Sequence, residues 1–309
     1  DFMMFSDHMT LIHRDNGGEG IYGKTLVLIG YEHNDPEDNN HFLVFDSPRV
    51  YPEHFSAPEY VEAARADSAI GILAHPIEKR PRDSKYPPYP WTDWSSDAYD
   101  GIELWNQISE WMEKLTPYNK LLMAFSPRRS MVGPVDDAME LWDRLNQKRR
   151  YVGIAGVDAH AFRVKIGPFT VEIFPYKVHF RCLRTNIILD EPMSDDFQTA
   201  RDQLYRAFRS CRVYISNVRW GDSRGFQFLA DAGDRQYTCG DSLPLTDNLS
   251  LSVQLPSRAR LKLVRNGQAV VQTEAADLYY SVSRPGLYRV EAWKGRRGWI
   301  FSNHIRIEG

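Results

Sequence analysis

Gly153-Ile154-Ala155-Gly156-Val157-Asp158-Ala159-His160 is the stretch on which the reading of the whole chain turns. Residues 151–157 carry no charge and have the length of a buried strand, and the run ends in a carboxylate and an imidazole two residues apart. On an extended backbone residues i and i+2 face the same way, so Asp158 and His160 are expected to grip one object from one side. Carboxylate and imidazole together suit a divalent metal. A single pair of this kind also occurs as plain structure, and repetition is what gives it weight. Residues 2–5 lead into Ser6-Asp7-His8, residues 26–31 into Glu32, and residues 69–74 into His75-Pro76. Four apolar strands, each ending in a ligand-type residue, predict a parallel barrel that gathers its ligands at the C-terminal rim.

Composition sets the outer bounds. The 309 residues suffice for one large domain or two ordinary ones. Hydrophobic residues at 42% and aromatics at 13% can build a core and are unlike a disordered chain. A net charge of -3 and a pI near 6.3 give no basic footprint, so the expected partner is a small molecule, a small nucleotide included, and not a nucleic acid polymer. Cys182, Cys211 and Cys239 match neither a zinc spacing nor a disulfide framework. No apolar run approaches the roughly 20 residues that span a bilayer. The first residues lack the regions of a signal peptide, so no membrane association is expected. The compartment and the oligomeric state stay open. The chain enters an apolar strand directly from Asp1, and an upstream strand and helix are expected to precede it.

In chain order, His13 lies in a glycine-rich loop and reads as solvent-exposed. After Glu32 an acidic loop leads to His41 at the start of a returning strand. Ser56 is placed to cap a helix with Pro58 in its first turn. Residues 76–100 form a long loop rich in proline and aromatics, with Lys79-Arg80-Pro81-Arg82 and Tyr86-Pro87 within it; loops of this length often serve as lids. Gly101–Asn106 is another strand, which would place Asn106 at the rim. A helical stretch is expected over 110–124 and an amphipathic helix over 135–150. Arg163 follows the Asp158/His160 strand closely. Residues 178–189 read as one more strand with His179 structural, and Ser194 as the cap of a further helix. From about residue 213 short alternating segments and the turn Asn266-Gly267 predict an all-β module. His304, alone within it, reads as structural.

Ser6-Asp7-His8, Glu32 with His41, Ile72-Leu73-Ala74-His75-Pro76, Gly101-Ile102-Glu103-Leu104-Trp105-Asn106 and Gly156-Val157-Asp158-Ala159-His160 resemble, in order, the motifs of the polymerase and histidinol phosphatase (PHP) superfamily. Residues 288–303 resemble the C-terminal β-domain of the branch that includes carbaryl hydrolase. The resemblance implies an α/β fold, a distorted seven-stranded (β/α) barrel over 1–212 followed by a small β-sandwich over 213–309. It also implies His8, Glu32, His41, His75, Asp158 and His160 as ligands of two or three divalent ions (zinc, manganese or iron), with Glu32 bridging. Asp7 would orient a ligand imidazole, and Asn106 and Arg163 would face substrate. The family's opening His-x-His has no counterpart here, and His304 stands where the branch usually has proline. The implied activity is a metal-dependent hydrolase that uses a metal-activated hydroxide on a small phosphoester. A carbamate or carboxylic ester hydrolase, or a metal-binding protein without turnover, are the alternatives.

Overall fold

The structure, a computed structural model, describes residues 1–79, 87–166, 168–233 and 235–309. Seven strands form the first sheet: β1 (Phe2–His8), β2 (Gly20–Tyr22), β3 (Thr25–His33), β4 (Phe42–Phe45), β5 (Ile70–Leu73), β6 (Gly101–Asn106) and β7 (Val152–Gly156). Their order is β1-β3-β4-β5-β6-β7, with β2 paired to β3. β1 and β3 are parallel, as are β5, β6 and β7, whereas β4 runs antiparallel to both of its neighbours.

Helices appear where local signals are strongest. α1 (Ile12–Asp15) is a single turn. In α2 (Ala57–Ala66) Ser56 and Glu59 form a reciprocal capping box, which satisfies backbone donors that the first turn leaves free. The helical stretch expected over 110–124 is two helices, α3 (Gln107–Glu113) and α4 (Lys120–Phe125), because Pro117 interrupts it. α5 (Asp136–Lys148) buries Met139, Trp142 and Leu145, and acids occupy its first turn. The strand expected over 178–189 begins later than foreseen. A hairpin of β8 (Phe162–Ile166) and β9 (Phe169–Ile173) comes first, then a turn of α6 (Tyr176–His179), and then β10 (Leu183–Ile187). α7 (Phe197–Arg209) is capped by Asp196. Alternate side chains of the first sheet go two ways: Leu26, Leu28, Ile70 and Ile72 pack with Leu204 and Phe208 of α7, while Tyr31, Phe42 and Leu104 share a core with Tyr60 of α2 and Trp142 of α5.

The (β/α) barrel is overturned, whereas a two-domain layout is consistent with the structure. The fold is mostly β, two curled half-barrel sheets with only 21% helix. β10 pairs with β11 (Val213–Asn217), and β11 continues into a ten-stranded sheet instead of closing the first one. The remaining members are β12 (Gln227–Asp231), β13 (Gln236–Tyr237), β14 (Ser242–Pro244), β15 (Ser250–Arg265), β16 (Gln268–Ser281), β17 (Gly286–Lys294), β18 (Arg297–Ser302) and β19 (Ile305–Glu308). Where the sequence suggests short segments, β15 is one long strand with a register irregularity between Gln254 and Ala259. Asn266 and Gly267 both take positive φ and make the β15–β16 hairpin turn.

The seam between the sheets explains why no further strand is needed there. The Asn303 amide accepts from Gly153 N and donates to Gly153 O, both at 2.9 Å. The Thr185 hydroxyl bridges Ala155 N and O at 3.0 and 2.7 Å. Side chains thus satisfy the outer edge of β7 that a barrel would have satisfied with a ladder.

Candidate metal centre

β1, β3, β5, β6 and β7 all end at one rim, and reversed β4 starts there. His8 ends β1 and pairs across the ladder with Glu32 of β3. His41 immediately precedes Phe42, whose partners are His33 and Leu73, so the reversal of β4 carries His41 to the same place. His75 follows β5 by two residues and Asp158 follows β7 by two.

Donor atoms of His8, Glu32 and His41 lie within 4.8 Å of one another. His41 Nδ1 is 2.7 Å from Glu32 Oε1, and His75 Nε2 is 3.5 Å from that same oxygen. The His41 ring lies 5.5 Å from that of His8 and 5.1 Å from that of His75. His160 Nε2 is 2.8 Å from Asp158 Oδ1, and its ring stacks 6.4 Å from His8. The expected geometry of Asp158 and His160 needs one correction. β7 stops at Gly156 and Asp158 has φ 48°, so the two meet through a left-handed turn and not by strand alternation. His75 is also left-handed, at φ 29°. Non-glycine residues held there cost roughly 1–3 kcal/mol each and cluster at functional sites.

The other expected residues fall differently. Asp7 alternates away from His8, and its carboxylate is 3.8 Å from exposed His13. Asn106 uses its oxygen to cap α3 at Ser109 N, while its Nδ2 donates to Glu103 at 3.0 Å and to Asp158 at 3.3 Å. It therefore orients Asp158. Arg163 is 77% exposed on the β8–β9 hairpin, 4.0 Å from Glu172. His179 is buried with Nδ1 on the Gln107 amide, and burial pushes it down to about 4. Of the expected lid, residues 80–86, with Arg80, Arg82 and Tyr86, lie outside the described residues. Further along it, Tyr89 stacks 4.8 Å from the His41 ring.

Two carboxylates were not singled out in the sequence reading. Glu103 accepts from His75 N at 2.9 Å and from Asn106, and burial pushes it up to about 7 against the pull of His75. Glu78 accepts from Tyr89 N at 2.6 Å and from the Ser109 hydroxyl. An acid inside the otherwise apolar Gly101–Asn106 was the available signal for Glu103. For Glu32, burial raises the carboxyl, but hydrogen bonds from His41 and His75 outweigh it and hold the group well below the carboxylate range. His75, opposed by burial, is pushed up to about 10 by Glu32.

A metal fits this donor set. His41 Nε2 and His75 Nδ1 are buried without a hydrogen-bond partner among the described residues. Imidazole nitrogens and carboxylate oxygens are what zinc, manganese or iron take up, and metal binding requires those donors in their deprotonated form. Close approach is built into the backbone at Gly156, where a Cβ would lie 2.0 Å from Glu103 Oε1. Gly156→Ala is expected to displace Glu103, costing about 1–3 kcal/mol in chemical denaturation. It should also weaken metal binding by roughly 10–100-fold through loss of the support under His75. Unchanged metal affinity would separate Glu103 from the site.

No protein-family model matches the chain, and no curated protein matches it. Among solved structures it is similar to a two-domain protein from Bacteroides vulgatus, described as containing a predicted PHP-like metal-dependent phosphoesterase. The identity is 11%, the match covers 98% of this chain and 86% of the other, and the TM-score is 0.43.

Proposed function

We propose that this chain is a metal-dependent hydrolase of small phosphoesters, with His8, Glu32, His41, His75, Asp158 and His160 as ligands of two or three divalent ions. The observation that carries this reading is the convergence of His8, Glu32 and His41 donor atoms within 4.8 Å at a strand-end rim. Zinc, manganese or iron bound there would supply Lewis acidity and lower the pKa of water near the substrate. The chain's own groups hold the site in shape. Asn106 fixes the Asp158 carboxylate, Glu103 holds the His75 backbone, and Tyr89 covers the His41 ring. Arg163, on its exposed hairpin, would meet an anionic substrate from the solvent side.

Carbamate or carboxylic ester hydrolysis is the second reading, favoured by residues 288–303 and their resemblance to the carbaryl-hydrolase branch. A panel of nitrophenyl phosphate, bis-nitrophenyl phosphate, nitrophenyl acetate and naphthyl methylcarbamate, run with zinc or manganese, distinguishes the two. Phosphoester turnover that disappears in Asp158→Ala is the expected result. Turnover confined to acetate or carbamate would assign the second reading. Bound metal with no turnover would leave a metal-binding protein.

A further inference from the structure

A cleft of about 490 Å³ is lined by Arg128, Arg181, Val218, Arg219 and Trp220, none of which belongs to the metal centre. The 3-10 turns Pro127–Arg129 and Val218–Trp220 supply four of them. The cleft is held open by the chain's own bonds. Arg128 Nη1 donates to Arg181 O at 2.9 Å. Arg297, anchored on Met131 O at 2.8 Å, and Arg219 both lie against the Trp220 ring, at 5.5 and 5.3 Å. Among the described residues, no carboxylate lies within ion-pair distance of Arg128, Arg181 or Arg219. Arg219 Nε and Trp220 Nε1 are buried donors with no hydrogen-bond partner among the described residues.

Such a wall offers donors and positive charge and leaves them unanswered. Burial opposes the charge on Arg219, and the neighbouring charges of Arg128, Arg129 and Arg297 oppose it further. A buried N–H without an acceptor and a set of like charges both raise the free energy of the empty cleft. An anion with several acceptor oxygens removes both penalties, and planar guanidinium groups match phosphate by paired hydrogen bonds. We propose that this cleft is a second, metal-independent binding site for the phosphate group of a small ester or a phospholipid headgroup. The headgroup source is relevant because α4, directly before Pro127–Arg129, exposes Leu121, Leu122 and Phe125.

The test titrates inorganic phosphate into the full chain by calorimetry, in wild type and in a His8→Ala background that weakens the metal centre at an exposed position. Phosphate binding should persist in His8→Ala and weaken at least ~10-fold when Arg219→Gln or Arg181→Gln is added. Arg181 is exposed, so its variant carries the test if Arg219→Gln does not fold. In parallel, vesicles of phosphatidylcholine with and without phosphatidic acid are sedimented with the chain. Binding that needs phosphatidic acid and is lost in Arg181→Gln identifies the headgroup as the source; phosphate binding without vesicle binding identifies a soluble ester. Binding of neither probe overturns the site, as does binding indifferent to both arginine variants. Loss of all phosphate binding in His8→Ala would return the anion to the metal centre and also overturn it.

Discussion

Replacing Glu32 with alanine is expected to empty the metal centre. Glu32 Oε1 faces His41 Nδ1 at 2.7 Å and His75 Nε2 at 3.5 Å, so one oxygen organises two imidazoles. Without it the three donors within 4.8 Å lose their only carboxylate, and Asp158 is left as the one carboxylate of the proposed ligand set. Even partners one step removed from a metal typically change affinity or activity by 10–100-fold, so loss of this group should cost more than ~100-fold. Metal content after dialysis, measured by mass spectrometry beside a thermal melt, reads the outcome. Exposed His13 and His54 are the controls, and their alanine variants should retain the metal. A folded Glu32→Ala chain with wild-type metal content would remove the basis for the hydrolase reading.

The second large effect lies where α5 meets β17. Asp143 receives both Nε and Nη2 of Arg289 at 2.7 Å, and His304 Nε2 lies 2.7 Å from its Oδ1. Arg289 Nη1 also donates to Glu291 at 2.7 Å, and the Trp142 ring lies tilted against His304 with centroids 4.2 Å apart. All these groups are buried. Arg289→Met removes one partner and leaves a buried charge, a change that costs about 3–5 kcal/mol. The pH dependence follows from Asp143. Burial would raise its carboxyl, but Arg289 and His304 outweigh burial and hold it at about 2. A carboxyl depressed in the fold contributes stability above its unfolded value of roughly 3.9 and loses it as pH falls through the folded value. Wild type should therefore lose this contribution between about pH 4 and pH 2. In Arg289→Met the uncompensated burial raises the same carboxyl, so the deficit is largest near neutrality and shrinks on acidification. Urea denaturation at pH 7 and pH 3 reads both, and a deficit that grows at pH 3 would contradict the assignment.

What was legible in the sequence is local. An apolar run closed by a ligand-type side chain marks a buried strand end, and this is how His8, Glu32, His75 and Asp158 stand out. Capping residues placed α2, and Asn266-Gly267 placed the β15–β16 turn, because both signals act within a few residues. Glu103 was readable in principle, as an acid inside an apolar strand. Strand partnership was not. A strand edge bonds to whichever neighbour the whole fold presents, and β10 found β11 and the second sheet, whereas Asn303 and Thr185 took over the edge of β7. Apolar period and length are the same for a barrel strand and for this one, so the strand-end pattern pointed to a parallel barrel, which the family resemblance then made a (β/α) barrel. The same holds for Asp143, Arg289 and His304, three residues from distant segments that neutralise one another only once β17 lies on α5. Sequence marks which side chains are costly to bury; tertiary structure decides which partners remove that cost.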